Sequence, residues 1–212
     1  MTREAPQPIL DKRGEPQVRR WQEQRWLIDN IIRANGIDWD QPRSLYISAP
    51  CGVEANADFV GIRQRVQKLA DIGPAFAAVA RRREAKARAA EAADEPVTAR
   101  DNYFMAGVLW GAAQWPYDQN DETNIAFNQK KRECYGHYAR LADHRVETAW
   151  IPFKDKALPA WFHLPPGYQG GRLPVVIVIP GMDSYKEVSV ALYGDRWLHR
   201  GMAVLAVDGP GQ

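Results

Sequence analysis

The sequence predicts an α/β fold, in which an all-helical amino-terminal region precedes the first strands of a sheet. Two apolar runs, residues 175–179 and 202–207, are each closed by Pro/Gly turn residues and are separated by a helix-compatible segment. This arrangement is typical of a βαβ unit. Neither run shows polar alternation, as expected of parallel strands that are buried on both faces.

The amino-terminal region contains about five predicted helices. Residues 1–16 are polar and Pro-rich, which favours a mobile lead-in. Helical spacing of apolar residues and turn signals such as Asn35-Gly36 and Gly73-Pro74 mark the helix ends. Thr98 is the expected amino-terminal cap of the fourth helix, in which Gly107 and Gly111 would allow another chain segment to approach closely. The predicted helices are 17–36, 55–70, 75–93, 99–115 and 120–141, with an irregular connection over 37–54.

The pattern changes at His144, where a hairpin of strands 145–153 and 158–164 is predicted. The four histidines have neither metal spacing nor an acidic partner in register, so we expect structural roles for them. The most basic stretch, residues 81–88, is expected to be a solvated helix face; phosphate binding is the alternative reading.

Composition narrows the classes of protein. Hydrophobic residues make up 45% of the chain, charged residues 25%, and the net charge is +2. This balance gives no electrostatic case for nucleic acid or an anionic membrane. Cys51 and Cys134 lack the spacing of a zinc site or a disulfide scaffold. No apolar stretch has signal-peptide or membrane-spanning length, so we expect a cytoplasmic protein. No cofactor is expected.

Two blocks of sequence carry a family resemblance: residues 179–187 (IPGMDSYKE) and residues 200–212 (RGMAVLAVDGPGQ). Together with the helical region and the hairpin, they resemble the α/β-hydrolase family that includes 2,6-dihydroxypseudooxynicotine hydrolase, fungal pigment-pathway hydrolases and FrsA-like esterases. The resemblance implies a helical cap or dimerisation region over 1–143 and the amino-terminal part of a hydrolase core over 144–212. It also implies a homodimer formed through the helical region.

The turn after residue 179 is the candidate catalytic element. In α/β hydrolases this loop presents one backbone N–H to the developing oxyanion. The resemblance assigns that donor to Met182, and Gly181 is expected to permit a turn that a Cβ would obstruct. An ordinary strand-to-helix turn is the alternative. Asp183 is either an auxiliary carboxylate that supports C–C bond hydrolysis or the cap of the next helix. Lys186 and Glu187 are expected at the surface or at that helix start, and Asp208 is expected to brace its own turn.

No GxSxG motif occurs in the sequence, so the Ser/Asp/His triad is not expected within this chain. We therefore expect a fold truncated before the nucleophile elbow, a strand 175–179 with one unpaired edge, and an isolated chain without activity. Residue 212 is not expected to be a natural domain boundary.

The resemblance implies a serine hydrolase that acts on a C–C bond in an aromatic ketone or 1,3-dicarbonyl compound. A carboxylic-ester hydrolase and a non-catalytic binding or dimerisation module remain alternatives. A small-molecule substrate is expected, and neither nucleic acid nor membrane. The candidate pocket walls are aromatic, although core packing would explain each of them equally: Tyr103, Trp110, Trp115 and Tyr117.

Overall fold

The computed structural model describes residues 20–181, 184–191 and 195–210. In this part of the chain, six α-helices precede the strands: α1 (Arg20–Asn35), α2 (Gln41–Ser48), α3 (Asn56–Arg65), α4 (Leu69–Ala92), α5 (Pro96–Ala113) and α6 (Glu122–Leu141). The remaining elements are β1 (Val146–Phe153), β2 (Lys156–His163), β3 (Val175–Val178), α7 (Lys186–Ser189) and β4 (Ala203–Val207).

The helices differ from the predictions in the connection 37–54 and at the start of α4, and in both places a capping side chain determines where the helix begins. The connection 37–54 contains α2, whose first turn accommodates Pro42 and is capped by the Asp40 carboxylate, which accepts the Arg43 N–H at 3.2 Å. The Gly73-Pro74 pair does not end a helix but lies inside α4. The break instead precedes Leu69, where the Asp71 carboxylate accepts the backbone N–H groups of residues 67 and 68.

The fifth helix, α5, is the centre of the helical region. It packs against α4 on one side and α6 on the other, and most of its residues are buried. Such all-round burial explains its lack of an amphipathic face. It begins at Pro96, so the prediction of Thr98 as its cap is wrong. At Gly107 a Cβ would lie 3.5 Å from the Lys131 carbonyl oxygen of α6, which confirms the expected close approach.

A buried ionic cluster joins α3, α4 and α5. Arg83 donates from Nε to Asp58 at 2.6 Å and from Nη1 to both Glu54 and Asn102 at 2.9 Å. The Arg83 side chain is only 9% exposed. Burial opposes its charge, but these carboxylate partners raise the pKa of Arg83. The basic stretch is therefore partly internal and matched by carboxylates, rather than the wholly solvated face that was expected.

The four strands form a sheet of order β1-β2-β4-β3. Strands β1 and β2 pair antiparallel, β2 pairs antiparallel with β4, and β3 pairs parallel with β4. The hairpin and the βαβ unit were thus predicted correctly. Burial on both faces holds for β4 but not for β3, where Val175, Ile177 and Ile179 are 49%, 62% and 69% exposed. Among the described strands, only β4 pairs with β3.

The segment after β3 contributes to two apolar clusters, one in the helical layer and one at the sheet. Val188 of α7 belongs to the main apolar cluster built by α3, α4 and α5, whereas Val190 joins a smaller cluster with Leu198 and Val204 beneath the sheet. The segment that follows the turn after β3 is therefore anchored on both layers. No helix in the described ranges is long and apolar enough to cross a membrane.

Candidate active site

The turn after β3 is accessible. The Ser184 N–H donates to the Gly181 carbonyl at 3.0 Å. Met182 and Asp183 themselves lie outside the described residues. Gly181 is exposed, and a Cβ built on it would meet no described atom within 4 Å. The expectation that a Cβ here would be obstructed therefore finds no support among the described residues.

A cavity of about 570 Å³ lies beside this turn. Its walls come from α2, from the end of α5 with the loop that follows, from one face of α6, and from residues 184, 185 and 188. This volume is within the range of small-molecule sites. The lining includes aromatic, amide and charged side chains: Trp115, Tyr117, Tyr185, Gln114, Asn124, Asn128, Arg43, Asp118 and Lys131.

Two of the four predicted aromatic residues line this cavity and two do not. Trp115 is a wall residue whose ring is covered by the Arg43 guanidinium at 4.2 Å from the ring centroid. Tyr117 is a wall residue too, and it packs edge-on against Phe127. Tyr103 and Trp110 lie instead in the helical core, where they donate to Glu91 at 2.6 Å and Glu84 at 3.2 Å. Their placement favours the packing alternative.

Tyr185 fixes the far side of the turn. Its hydroxyl donates to the Val108 carbonyl of α5 at 2.5 Å, and its ring packs directly over Gly111. A Cβ on Gly111 would overlap this ring. The close approach predicted at Gly111 is therefore realised by an aromatic ring, and it places the turn against the wall of the cavity.

A second buried ionic cluster lies directly behind the turn. Lys186 donates from Nζ to Asp208 at 2.6 Å and to Glu187 at 2.9 Å. Trp161 Nε1 donates to the same Glu187 oxygen at 3.1 Å, and Lys131 Nζ lies 3.5 Å from the other one. Lys186 and Glu187 do begin α7, but the expectation that they lie at the surface is wrong. Asp208 accepts the Lys186 N–H at 2.7 Å and so braces the start of α7.

Electrostatics keep Glu187 ionised although it is fully buried. Burial opposes its charge, but the charges of Lys131 and Lys186 and the hydrogen bonds from Lys186 and Trp161 lower its pKa from 4.5 to about 2. The pKa of Lys186 is raised: burial would lower it, and the attraction of Glu187 and Asp208 outweighs that effect. Lys186 and Glu187 are therefore both charged at neutral pH.

The histidines lie away from this cavity but are not isolated. His144 Nε2 lies 2.8 Å from His163 Nδ1, and its Nδ1 lies 3.0 Å from the Asp143 carboxylate. The expected lack of acidic partners is wrong here, because the partner of His144 is its immediate neighbour in the chain, Asp143. Burial and the neighbouring His144 lower the pKa of His163 to about 3, so its ring is neutral at physiological pH. A structural role explains these contacts.

Sequence reasoning missed the polar half of the cavity. Asn124, Asn128 and Lys131 lie on one face of α6, and their spacing of four and three residues is the available signal. The helical pattern shows that such residues share a face, but it does not show that the face borders a cavity rather than solvent. Among the described residues, no group of three or more His, Cys, Asp or Glu side chains is placed to hold a metal ion.

The comparisons agree with this architecture. The family model described as esterase FrsA-like matches residues 77–212, more than half of the chain. The α/β hydrolase xenA of Xenoacremonium sinensis is 35% identical over 59% of this chain and 32% of its own length. Esterase FrsA of Photobacterium profundum is 30% identical over 59% of this chain and 29% of its own length. The chain thus spans about a third of the curated relatives that it matches.

Among solved structures, the 2,6-dihydroxy-pseudo-oxynicotine hydrolase is 27% identical, with a TM-score of 0.63, over 79% of this chain and 46% of that one. A helical region, a sheet of order β1-β2-β4-β3 and a turn after β3 beside a cavity define the class as an α/β hydrolase. Within that class, the chain belongs to the esterase FrsA-like family.

Proposed function

We propose that this chain contributes the helical cap, the substrate cavity and one oxyanion donor of a serine-type hydrolase that cleaves a C–C bond in an aromatic ketone or 1,3-dicarbonyl compound. The observation that carries the proposal is the cavity of about 570 Å³, which borders the turn after β3 and is walled by Trp115, Tyr117 and Tyr185. These aromatic walls suit a planar substrate.

The proposed chemistry begins with a serine contributed by polypeptide outside this chain. Its oxygen adds to one carbonyl carbon, and the Met182 N–H stabilises the oxyanion that forms, while the serine proton passes to the catalytic base. When the oxyanion collapses, the C–C bond breaks and its electron pair moves to the second carbonyl as an enolate. Asp183 supports the base electrostatically in this scheme. Water then releases the acyl group.

Carboxylic-ester hydrolysis is the alternative use of the same parts. It needs the same donor and nucleophile, but the leaving group is an alkoxide rather than an enolate. The relatives include an esterase and a 2,6-dihydroxy-pseudo-oxynicotine hydrolase, so product analysis decides between the two bonds.

The oxyanion role of Met182 is tested in the natural full-length protein with Met182→Pro, which removes the backbone N–H. We expect kcat to fall by about a hundredfold or more, since one oxyanion donor contributes about 10²–10³ in rate. Met182→Leu keeps the N–H and should stay near wild type. A Met182→Pro enzyme that folds, judged by thermal unfolding, and retains its rate within a few-fold would contradict the assignment.

Serine chemistry is tested by labelling the same full-length protein with a fluorophosphonate. Labelling together with release of one carboxylic acid and one ketone from a 1,3-diketone supports C–C hydrolysis. Turnover of esters alone supports the alternative. If neither label nor turnover is seen, the non-catalytic binding or dimerisation module is favoured.

A homodimer through the helical region is part of the proposal. The first helices expose large apolar side chains, among them Trp26 at 69%, Leu27 at 51% and Leu45 at 59%. Exposed apolar surface of this kind favours an interface. Light scattering on the full-length protein and on the double variant Trp26→Glu/Leu27→Glu tests it: an unchanged dimer mass in the variant removes these residues from the interface.

A further inference from the structure

Lys131 differs from the other basic residues near the cavity in which acceptors its ammonium group reaches. Its side chain is 7% exposed, so more than nine-tenths of it is buried. Within the described ranges it donates no hydrogen bond; its contacts are the Glu187 carboxylate at 3.5 Å and the Tyr185 ring at 4.9 Å from the centroid. A buried ammonium with unused N–H donors is costly unless an acceptor reaches it.

The partner charge of Lys131 is already engaged elsewhere. Glu187 accepts from Lys186 and Trp161 through one oxygen, while its other oxygen, the one nearer Lys131, is buried and has no hydrogen-bond partner in the described part of the chain. A distance of 3.5 Å is beyond ordinary N–H···O hydrogen bonds. The ammonium is therefore held in place by charge, and its N–H groups remain available to the cavity that it lines.

The charged groups around the cavity favour a negative ligand. The described lining residues include two cations, Arg43 and Lys131, and one carboxylate, Asp118. Asp118 pairs with Arg25 at 3.6 Å, and Arg43 pairs with Asp40 at 3.3 Å while covering Trp115. Lys131 is thus the lining cation whose hydrogen-bonding capacity is unused among the described residues.

The α6 face that carries Lys131 extends this polar wall. Asn128 lies one turn before Lys131 and lines the same cavity, as does Asn124 one turn earlier. Asn124 is already bound by Gln114 at 2.8 Å, which fixes its amide. The aromatic rings of Trp115 and Tyr117 border the same space and offer apolar walls to a planar group.

We propose that Lys131 is a specificity-determining residue that binds an acidic oxygen (carboxylate, phenolate or enolate) of an aromatic substrate in this cavity. The inference rests on the proposed hydrolase function and narrows its substrate class. The ring of the substrate packs against Trp115 and Tyr117, and its anionic oxygen accepts from Lys131 Nζ. Charge-assisted hydrogen bonds of this type discriminate strongly against neutral isosteres.

The test measures the affinity of the natural full-length protein for phenylacetate and for its neutral isostere phenylacetamide by isothermal titration calorimetry at neutral pH. We expect wild type to prefer the carboxylate by about tenfold, as one charge-assisted hydrogen bond predicts. Lys131→Met should lose this preference and Lys131→Arg should keep part of it. Arg132→Met, an exposed change one residue further along α6 and outside this cavity, should leave the preference unchanged.

Two outcomes overturn the proposal: equal affinity of the two ligands in wild type, or an undiminished carboxylate preference in Lys131→Met. Because removal of the cation leaves Glu187 short of a partner, the double variant Lys131→Met/Glu187→Gln removes both charges and provides the same measurement if the single variant does not fold. It should also lack the preference.

The same protein separates this proposal from the proposed function. Fluorophosphonate labelling and ester or diketone turnover report the hydrolase chemistry, whereas the carboxylate preference reports Lys131. Turnover without a preference overturns the inference and leaves the hydrolase in place. A Lys131-dependent preference without labelling or turnover overturns the hydrolase and leaves a binding site for aromatic acids.

Discussion

Two buried ionic clusters, one in the helical region and one behind the turn after β3, differ in how fully their charged groups are hydrogen-bonded. In the first, Arg83 makes hydrogen bonds to Asp58, Glu54 and Asn102 at 2.6–2.9 Å. In the second, the Lys131 ammonium approaches its carboxylate only to 3.5 Å, and that carboxylate oxygen accepts no hydrogen bond from a described residue. The first cluster lies among helices with Glu54 at its exposed rim, whereas the second borders the cavity.

This difference distinguishes buried charges that stabilise the fold from buried charges that border the candidate site. A buried charge that is fully hydrogen-bonded rigidifies the packing around it, and its value is lost when one partner is removed. A buried charge that is only partly satisfied is tolerated where a ligand or water supplies the remaining acceptor. The cluster around Arg83 therefore holds three helices together, and the cluster of Lys131 and Glu187 belongs to the candidate site.

The largest effect should come from Arg83→Met, which removes the buried donor shared by Asp58 and Asn102 and leaves Asp58 paired with the more exposed Arg82. We expect a loss of about 4 kcal/mol in the free energy of unfolding, as for other buried pairs that lose one partner. Urea unfolding measures it. Lys86→Met is the matched control, because Lys86 contacts the same Glu54 at 3.4 Å but is 52% exposed; its cost should stay below about 1 kcal/mol. Similar losses in both variants would contradict the distinction.

The next effect is the pH dependence of Glu187. Its folded pKa of about 2 lies below the ordinary 4.5, so its contribution to stability is present above pH 4.5 and is lost as the pH falls toward 2. A shift of this size corresponds to about 3 kcal/mol. Urea titrations over this pH window should show a flatter dependence for Glu187→Gln than for wild type.

The control for Glu187→Gln is Glu133→Gln, which removes a carboxylate that is 41% exposed and pairs with Lys130 at 3.1 Å. It should retain most of the acid-dependent loss seen in wild type. A Glu187→Gln protein whose stability falls between pH 4.5 and 2 as steeply as that of wild type would show that the neighbouring lysines do not hold Glu187 ionised.

The smallest effect is expected at Gly111, where α5 packs against the Tyr185 ring. Gly111→Ala places a methyl group in the Tyr185 ring and should cost about 2 kcal/mol, the typical cost of overpacking. Gly136→Ala in α6 has open space around its Cβ and should instead stabilise the helix by up to about 1 kcal/mol. Thermal unfolding compares them. If Gly111→Ala proves as stable as Gly136→Ala, Tyr185 is not fixed as described.

Much of the architecture was predictable, because local patterns determine it. The periodicity of apolar residues located five helices to within a few residues of α1, α3, α4, α5 and α6, and the hairpin and the parallel β3–β4 pair followed from run length and turn residues. The second helix was missed because Pro42 was interpreted as a break, although proline fits a first helical turn.

The site was less predictable, because its properties depend on which faces meet. Trp115 and Tyr117 line the cavity and Tyr103 and Trp110 do not, yet all four occur in one aromatic-rich stretch. Lys186 and Glu187 have the composition of a surface helix start but are buried against Asp208 and Lys131.

The sequence by itself determined the order of elements, the turn after β3 and the family, because those follow from periodicity and from short motifs that are local in the chain. Only the tertiary structure decided that Lys131, contributed by α6, lies beside that turn with its hydrogen bonds unused, because burial and pairing are set by residues far apart in sequence.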